Sequence, residues 1–279
     1  SANNIAMAFE NSFGVAPAIS GAVIAVLLFL VISGGIRRIA SVASIIVPFM
    51  TIGYLIVTII VLVGNASAVP DTIAMMIGSA FNTHALFGGM MGAAFSYGVK
   101  RAVNSSGSGF GETPPVAAAA ETRHPATQGL VNAFSVYIDV TVCFCSGIMA
   151  LVTDCFNVLG PDGTKYLHIG EGSAAMTQQA ATNTAGVVWV QEGANTVLPG
   201  VGGAIIAIAL TLFAYSTCIA YYYEGESGLA YLARKLPQST RNKIMWAIRI
   251  IMPITFFVWA MVPAATAWAI SEVMFGLMA

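Results

Sequence analysis

Gly88, Gly89 and Gly92 fall within five positions of one another, inside an apolar stretch that runs from Thr72 to Lys100. A membrane-length helix broken at that point exposes backbone N–H and C=O groups, and in hydrocarbon each unpaired group costs several kcal/mol. Such a break survives only where protein or a water-filled cavity covers it. In secondary transporters, breaks of this kind form the substrate and ion sites. Amides freed around Gly88, Gly89 and Met90, with the start of the following half-helix, can bind an anion, and carbonyls freed before the break can face an ammonium or a cation. Glycine also lets backbone approach closely. The competing reading is helix–helix packing by small residues.

Ser216 and Thr217 lie in a second apolar run, Gly200 to Tyr223. Hydroxyl oxygens and backbone carbonyls are hard ligands suited to a small cation. The alternative is a hydroxyl bonded back to its own helix. Tyr221 is one turn on from Thr217, so both can face one cavity, although tyrosine is also an ordinary interfacial residue. Asp139 sits inside the run that begins at Pro125. An acid there is costly and a functional candidate by default, or else the structural partner of a hydroxyl or a basic residue. Glu224 and Glu226 fall at a helix end and read as solvated.

Other reactive side chains carry no chemistry by their spacing. Cys143 and Cys145 are two apart on an apolar helix and point to different faces, which fits neither a zinc site nor a redox pair. Packing is the expected role of both. His84, His124 and His168 are scattered. Gly107, Gly109 and Gly111 lack both the dinucleotide spacing and a preceding strand. No nucleophile–base pair stands out, so no enzyme and no organic cofactor is expected.

The elements that must position these residues are membrane spans. Hydrophobic residues make up 57% of the chain and charged residues 8%, against about 25% charged in a soluble domain. Such a chain cannot cover itself with a water-compatible surface, so it is expected to be an all-α polytopic membrane protein with lipid around it. A net charge of −1 leaves no nucleic-acid footprint. Apolar runs of span length predict a partial helix from Ser1 to Phe13, then Pro17 to Ser33, Ser41 to Val63, a broken Thr72 to Tyr97, Pro125 to Asp154, Gly200 to Tyr223, Lys243 to Val262 and Pro263 to Ala279. Pro48 and Pro253 fall inside spans and predict kinks.

Alternating these spans sorts the basic residues. Arg37, Arg38, Lys100, Arg101, Arg123, Arg234, Lys235, Arg241, Lys243 and Arg249 fall on one side and only Lys165 on the other. The positive-inside rule puts the larger group, and the Ser1 end, toward the cytoplasm. The loop 155–199 then lies outside. It is rich in Gly, Thr, Gln and Asn, with a short helix expected over Ser173 to Thr182, and reads either as a structured surface loop or as a lid over a vestibule. The whole reads as a single transmembrane domain, 1–279. Both ends fall in apolar sequence without a basic leader, so a fragment of a longer protein is expected.

The residues after the glycine cluster carry a resemblance. Gly88-Gly89-Met90-Met91-Gly92-Ala93 is followed by a glycine-rich turn that ends in Pro114 and an alanine run. Then come His124-Pro125-Ala126-Thr127-Gln128-Gly129-Leu130-Val131 and Tyr137-Ile138-Asp139. Asn3-Asn4-Ile5-Ala6, Phe213-Ala214-Tyr215-Ser216-Thr217 and Gly276-Leu277-Met278-Ala279 add three more segments in order. The ordered set resembles the alanine or glycine:cation symporter family, the sodium:alanine symporters, along the whole chain. It departs from the family at Ser105-Ser106-Gly107-Ser108-Gly109, where the family's acid is missing, and at Ser1 and Tyr221, where members carry glutamine and often tryptophan.

The resemblance implies a leucine-transporter-like fold of two inverted repeats, of which this chain holds about core helices three to ten. It implies cation-coupled uptake of small neutral amino acids such as alanine or glycine by alternating access, in the cytoplasmic membrane of a bacterium or archaeon. Sodium is the expected coupling ion. The substrate would meet Asn3, Gly88, Gly89, Met90, Gly92, Thr217 and Tyr221; sodium would meet Ser216 and Thr217. Glu272 matches a family acid in the last helix and shares the ambiguity of Asp139. An uncoupled channel, or another solute transporter of the same fold, is the alternative.

Overall fold

The computed structural model describes residues 2–81, 88–107, 111, 113–118, 120–159, 166–182, 186–262 and 270. Among them run α1 (Ala2–Phe13), α2 (Pro17–Ser33), α3 (Gly35–Gly64), α4 (Val69–Phe81), α5 (Gly88–Ser106), α6 (Thr113–Ala117), α7 (Pro125–Val152), a hairpin of β1 (Asn157–Leu159) and β2 (Tyr166–Ile169), α8 (Ala175–Thr182), α9 (Val187–Val197), α10 (Gly202–Leu232), a 3-10 turn (Ala233–Lys235) and α11 (Gln238–Met261). Among the described residues, four stretches are long and apolar enough to cross a membrane: Arg38–Gly64, Pro125–Val152, Gly202–Lys235 and Gln238–Met261. Pro17–Ser33 and Val69–Gly78 are shorter apolar helices. The protein is an all-α polytopic membrane protein, to which the hairpin is a small addition.

Local chemistry sets the helix limits. Pro17 stands in the first turn of α2, where its missing N–H costs nothing. Gly35 takes φ 72°, the left-handed conformation that turns the chain from α2 into α3. His124 caps α7 by accepting the Ala126 amide on Nδ1 at 3.2 Å, and Pro125 follows. Pro48 and Pro253 lie inside α3 and α11.

Several expected limits move. α3 begins at Gly35 rather than Ser41, α10 runs to Leu232 rather than Tyr223, and α11 begins at Gln238 rather than Lys243. Polar and basic residues extend these helices beyond the hydrocarbon, where hydropathy gives no sign of them. The expected break at the glycine cluster falls at the start of a helix. Gly88, Gly89 and Gly92 are helical and open α5. The first amides of a helix need no intrahelical partner, so glycines there cost less than at mid-helix. Residues 82–87, between α4 and α5, lie outside the described set, as does the expected last span apart from Ile270.

The chain divides into two compact units. The first holds Ser1–Tyr54, Phe110–Arg123 and Ala204–Ala279. Its core is built from helical stripes: Ile24, Leu28 and Ile32 of α2, Tyr215, Ile219 and Tyr222 of α10, and Phe256 and Ala260 of α11, with Ile5 of α1. Gly21 brings α2 hard against α11; a Cβ there would stand 2.8 Å from that of Ala260. In lipid such close packing replaces the hydrophobic effect as the force that joins helices. Tyr215 satisfies its hydroxyl by donating to the Leu27 carbonyl at 3.0 Å.

The second unit holds Leu55–Gly109 and His124–Gly203. Its 155–199 segment is folded where it is described. Asn157 is buried; it donates to the Met176 carbonyl at 3.0 Å and accepts from the Gly170 amide at 3.2 Å. Asp154, at φ 50°, takes the Glu171 amide at 2.8 Å and pairs with His168 Nε2 at 2.8 Å. Ser173 donates to Glu192 at 2.7 Å, and Asn195 accepts the Gly203 amide at 2.7 Å. A Cβ at Gly170 or Gly172 would collide with the carbonyl oxygens of Asp154 and Thr153 respectively, so the backbone passes there with no room for a side chain. The expected helix over Ser173 to Thr182 corresponds to α8, with Met176 fully buried. The hairpin and α9 are additions to the expected loop.

Candidate functional site

The candidate residues divide between the two units. In the first, α1 carries Asn3, half-buried; its Nδ2 donates to the Val262 carbonyl at 2.8 Å. Its Oδ1 is buried and accepts no bond among the described residues. An orphaned buried acceptor costs about 1–3 kcal/mol, so Asn3 holds an acceptor that an ammonium, an N–H or a cation would satisfy.

α10 carries Ser216, Thr217 and Tyr221. Both hydroxyls donate to the Phe213 carbonyl, Ser216 at 2.8 Å and Thr217 at 2.9 Å. Sequence left open whether these hydroxyls bond to their own helix; they do. The bond uses only the proton. Each oxygen keeps lone pairs, and holding the proton inward aims them away from the helix axis. Ser216 also lies 3.9 Å from the Met50 sulfur of α3. Thr217 and Tyr221 share an exposed face, Tyr221 being 42% exposed, roughly opposite the buried Tyr215, Ile219 and Tyr222. One helical turn separates the two, as their spacing requires.

In the second unit, α5 starts at Gly88, so its first-turn amides are those of Gly88, Gly89, Met90 and Met91. The partial positive charge of a helix start adds to them. Asp139 of α7 stands 2.9 and 2.8 Å, by its two carboxylate oxygens, from Ser105 Oγ of α5, whose single proton both oxygens share. Asp139 thus has a hydroxyl partner on a neighbouring helix. Glu272 lies outside the described residues.

Sequence reasoning missed a polar cluster in the first unit. Arg249 of α11 donates from Nε to Tyr222 Oη at 3.2 Å and from Nη2 to Glu226 Oε1 at 2.9 Å. The Glu226 side chain is only 17% exposed, so this acid is paired and not solvated as expected. The reason is the extension of α10 past Tyr223, which returns Glu226 to a helix facing α11. A basic residue well inside an apolar span was the available signal. A cavity of about 770 Å³ lies beside this cluster, lined by Tyr223, Glu226, Arg241 and Trp246 among others, and by none of the candidate substrate residues. Among the thiols, Cys155 is fully buried outside the spans, and that burial pushes its pKa up.

The sequence model of one family, described as the sodium:alanine symporter family, matches residues 1–279. The chain is 39% identical over 99% of its length to the sodium/proton-dependent alanine carrier protein of Bacillus sp. (strain PS3), covering 60% of that protein. It is 31% identical over 99% of its length to the sodium/alanine symporter AgcS of Methanococcus maripaludis, covering 55% of it. It is 29% identical over 82% of its length to the amino-acid carrier protein AlsT of Bacillus subtilis, covering 44% of it. The chain thus spans about half the length of the curated relatives it matches.

Proposed function

We propose, since this chain belongs to the sodium:alanine symporter family, that the whole protein carries a small neutral amino acid, alanine or glycine, across a membrane together with sodium. The match along residues 1–279 carries this reading, and relatives named for alanine carriage support it. The working cycle is alternating access in a leucine-transporter-like fold, within the cytoplasmic membrane of a bacterium or archaeon, with 155–199 outside.

The residues support a division of labour. First-turn amides of α5 at Gly88, Gly89 and Met90 suit the substrate carboxylate, with Gly92 keeping that turn narrow. The buried Oδ1 of Asn3, which accepts no bond among the described residues, suits the ammonium. Ser216 and Thr217 offer oxygen lone pairs to sodium, and Tyr221 walls the pocket beside Thr217. Asp139 holds α5 to α7 through Ser105.

The test is transport by the full-length protein in proteoliposomes. Labelled alanine should accumulate above its outside concentration only when sodium flows inward. Flux that never exceeds equilibrium under any gradient would instead establish an uncoupled channel. Replacing the sodium gradient by a proton gradient separates the two ions.

A further inference from the structure

The cavity beside Arg249 has a second use for its charges. Residues 223, 226, 227 and 230 of α10 and 241, 242, 245, 246 and 249 of α11 line it, each set spaced to form one helical stripe. It is therefore a groove between two helices, with Gly35 of α3 also on its lining. Its volume, about 770 Å³, falls in the ligand-sized range.

The groove is net positive. Glu226 neutralises Arg249, and Arg241, half-buried, has no ion-pair partner among the described residues. Beside the two bonds from Arg249, other N–H groups of its guanidinium meet no acceptor among the described residues. Arg234, Lys235 and Lys243 fall between its lining residues in the sequence, and no acid occurs between Glu226 and Glu272. Guanidinium groups matched to a small anion read as a phosphate site.

One wall is apolar, formed by Met245 and Trp246. From Trp246 an exposed apolar stripe continues along α11 through Ile250, Ile254 and Val258. Its length is about 18 Å at 1.5 Å per residue, close to the ~15 Å depth of one leaflet's hydrocarbon. A free phosphate gains nothing from such a track; an acyl chain does. We propose that this groove binds an anionic phospholipid of the leaflet facing the basic loops, with its phosphate on Arg241 and Arg249 and one acyl chain along Trp246, Ile250, Ile254 and Val258. Tryptophan at that level is suited to the headgroup boundary, and basic pockets between spans on this side recognise anionic headgroups.

Native mass spectrometry of the detergent-purified full-length protein, given equal phosphatidylglycerol and phosphatidylcholine, tests the site. The wild type should retain phosphatidylglycerol in preference. Arg241→Gln should reduce that preference about fivefold, Arg241→Lys should keep most of it, and Trp246→Ala should release the lipid at lower collision energy. Arg249 is left alone because its loss breaks the bonds to Glu226 and Tyr222. Thermal unfolding of each variant at the wild-type temperature certifies its fold. Wild-type lipid retention in both Arg241→Gln and Trp246→Ala would overturn the proposal. So would displacement of phosphatidylglycerol by millimolar inorganic phosphate, which would make the groove a soluble-anion site.

Discussion

At the scale of single residues, the hydroxyls of α10 show how a group can be spent and available at once. Thr217 gives its proton to the Phe213 carbonyl and keeps its lone pairs. Thr217→Val retains the shape and removes the oxygen. If that oxygen contacts the cation, the apparent sodium affinity of full-length transport should fall about fivefold, as expected for loss of one polar contact worth about 1 kcal/mol, with abundance unchanged. Sodium titration of alanine uptake checks this. Tyr221, on the same face, sets pocket width in the proposed site. Tyr221→Trp should narrow the accepted range; one methylene is worth about 1–3 kcal/mol in an apolar pocket. Competition of serine- and glutamine-sized amino acids against alanine uptake gives the readout, and equal inhibition in both proteins would remove Tyr221 from the pocket wall. Cys155 makes the opposite case, a reactive group made inert. Burial holds its proton beyond the ordinary thiol range, so a maleimide at neutral pH should label it only on unfolding. The sign for stability follows: the folded form keeps that proton more tightly than the unfolded one, so its contribution is lost as pH rises past the ordinary thiol pKa. Much at this scale was legible. Thr217 and Tyr221 share a face because their spacing demands it. Glu226 was misread, since its partner Arg249 stands on another helix and no local pattern links them.

At the scale of elements, the apolar spans were legible because lipid imposes both their length and their composition. Their ends were not, since beyond the hydrocarbon a helix continues on capping and packing alone. The segment 155–199 was the least legible. Its Gly, Thr, Gln and Asn give no period, yet it folds around Asn157, whose two bonds reach Met176 and Gly170. Only tertiary structure makes those partners neighbours. The glycines there are needed for close approach. Gly172→Val would drive a side chain into the Thr153 carbonyl and should cost roughly 3 kcal/mol or more. Limited proteolysis from outside should then cut 155–199 in the variant while the wild type resists. Equal resistance would mean that the segment adjusts freely.

At the scale of the whole molecule, family and membrane class were legible because ordered short motifs and composition both extend along the full chain. The transport site was legible only in outline: its candidate groups fall in two compact units, and the relatives are about twice as long as this chain. Trp189 of α9 has a buried indole N–H that meets no acceptor among the described residues, whereas buried indoles usually find one. An indole shielded from water emits at shorter wavelength than one in contact with it. A full-length variant that keeps Trp189 as its sole tryptophan should therefore fluoresce in the blue and shift to the red when the outer segment opens. If sodium or alanine moves that segment, the colour of this one side chain reports it in real time, without a label.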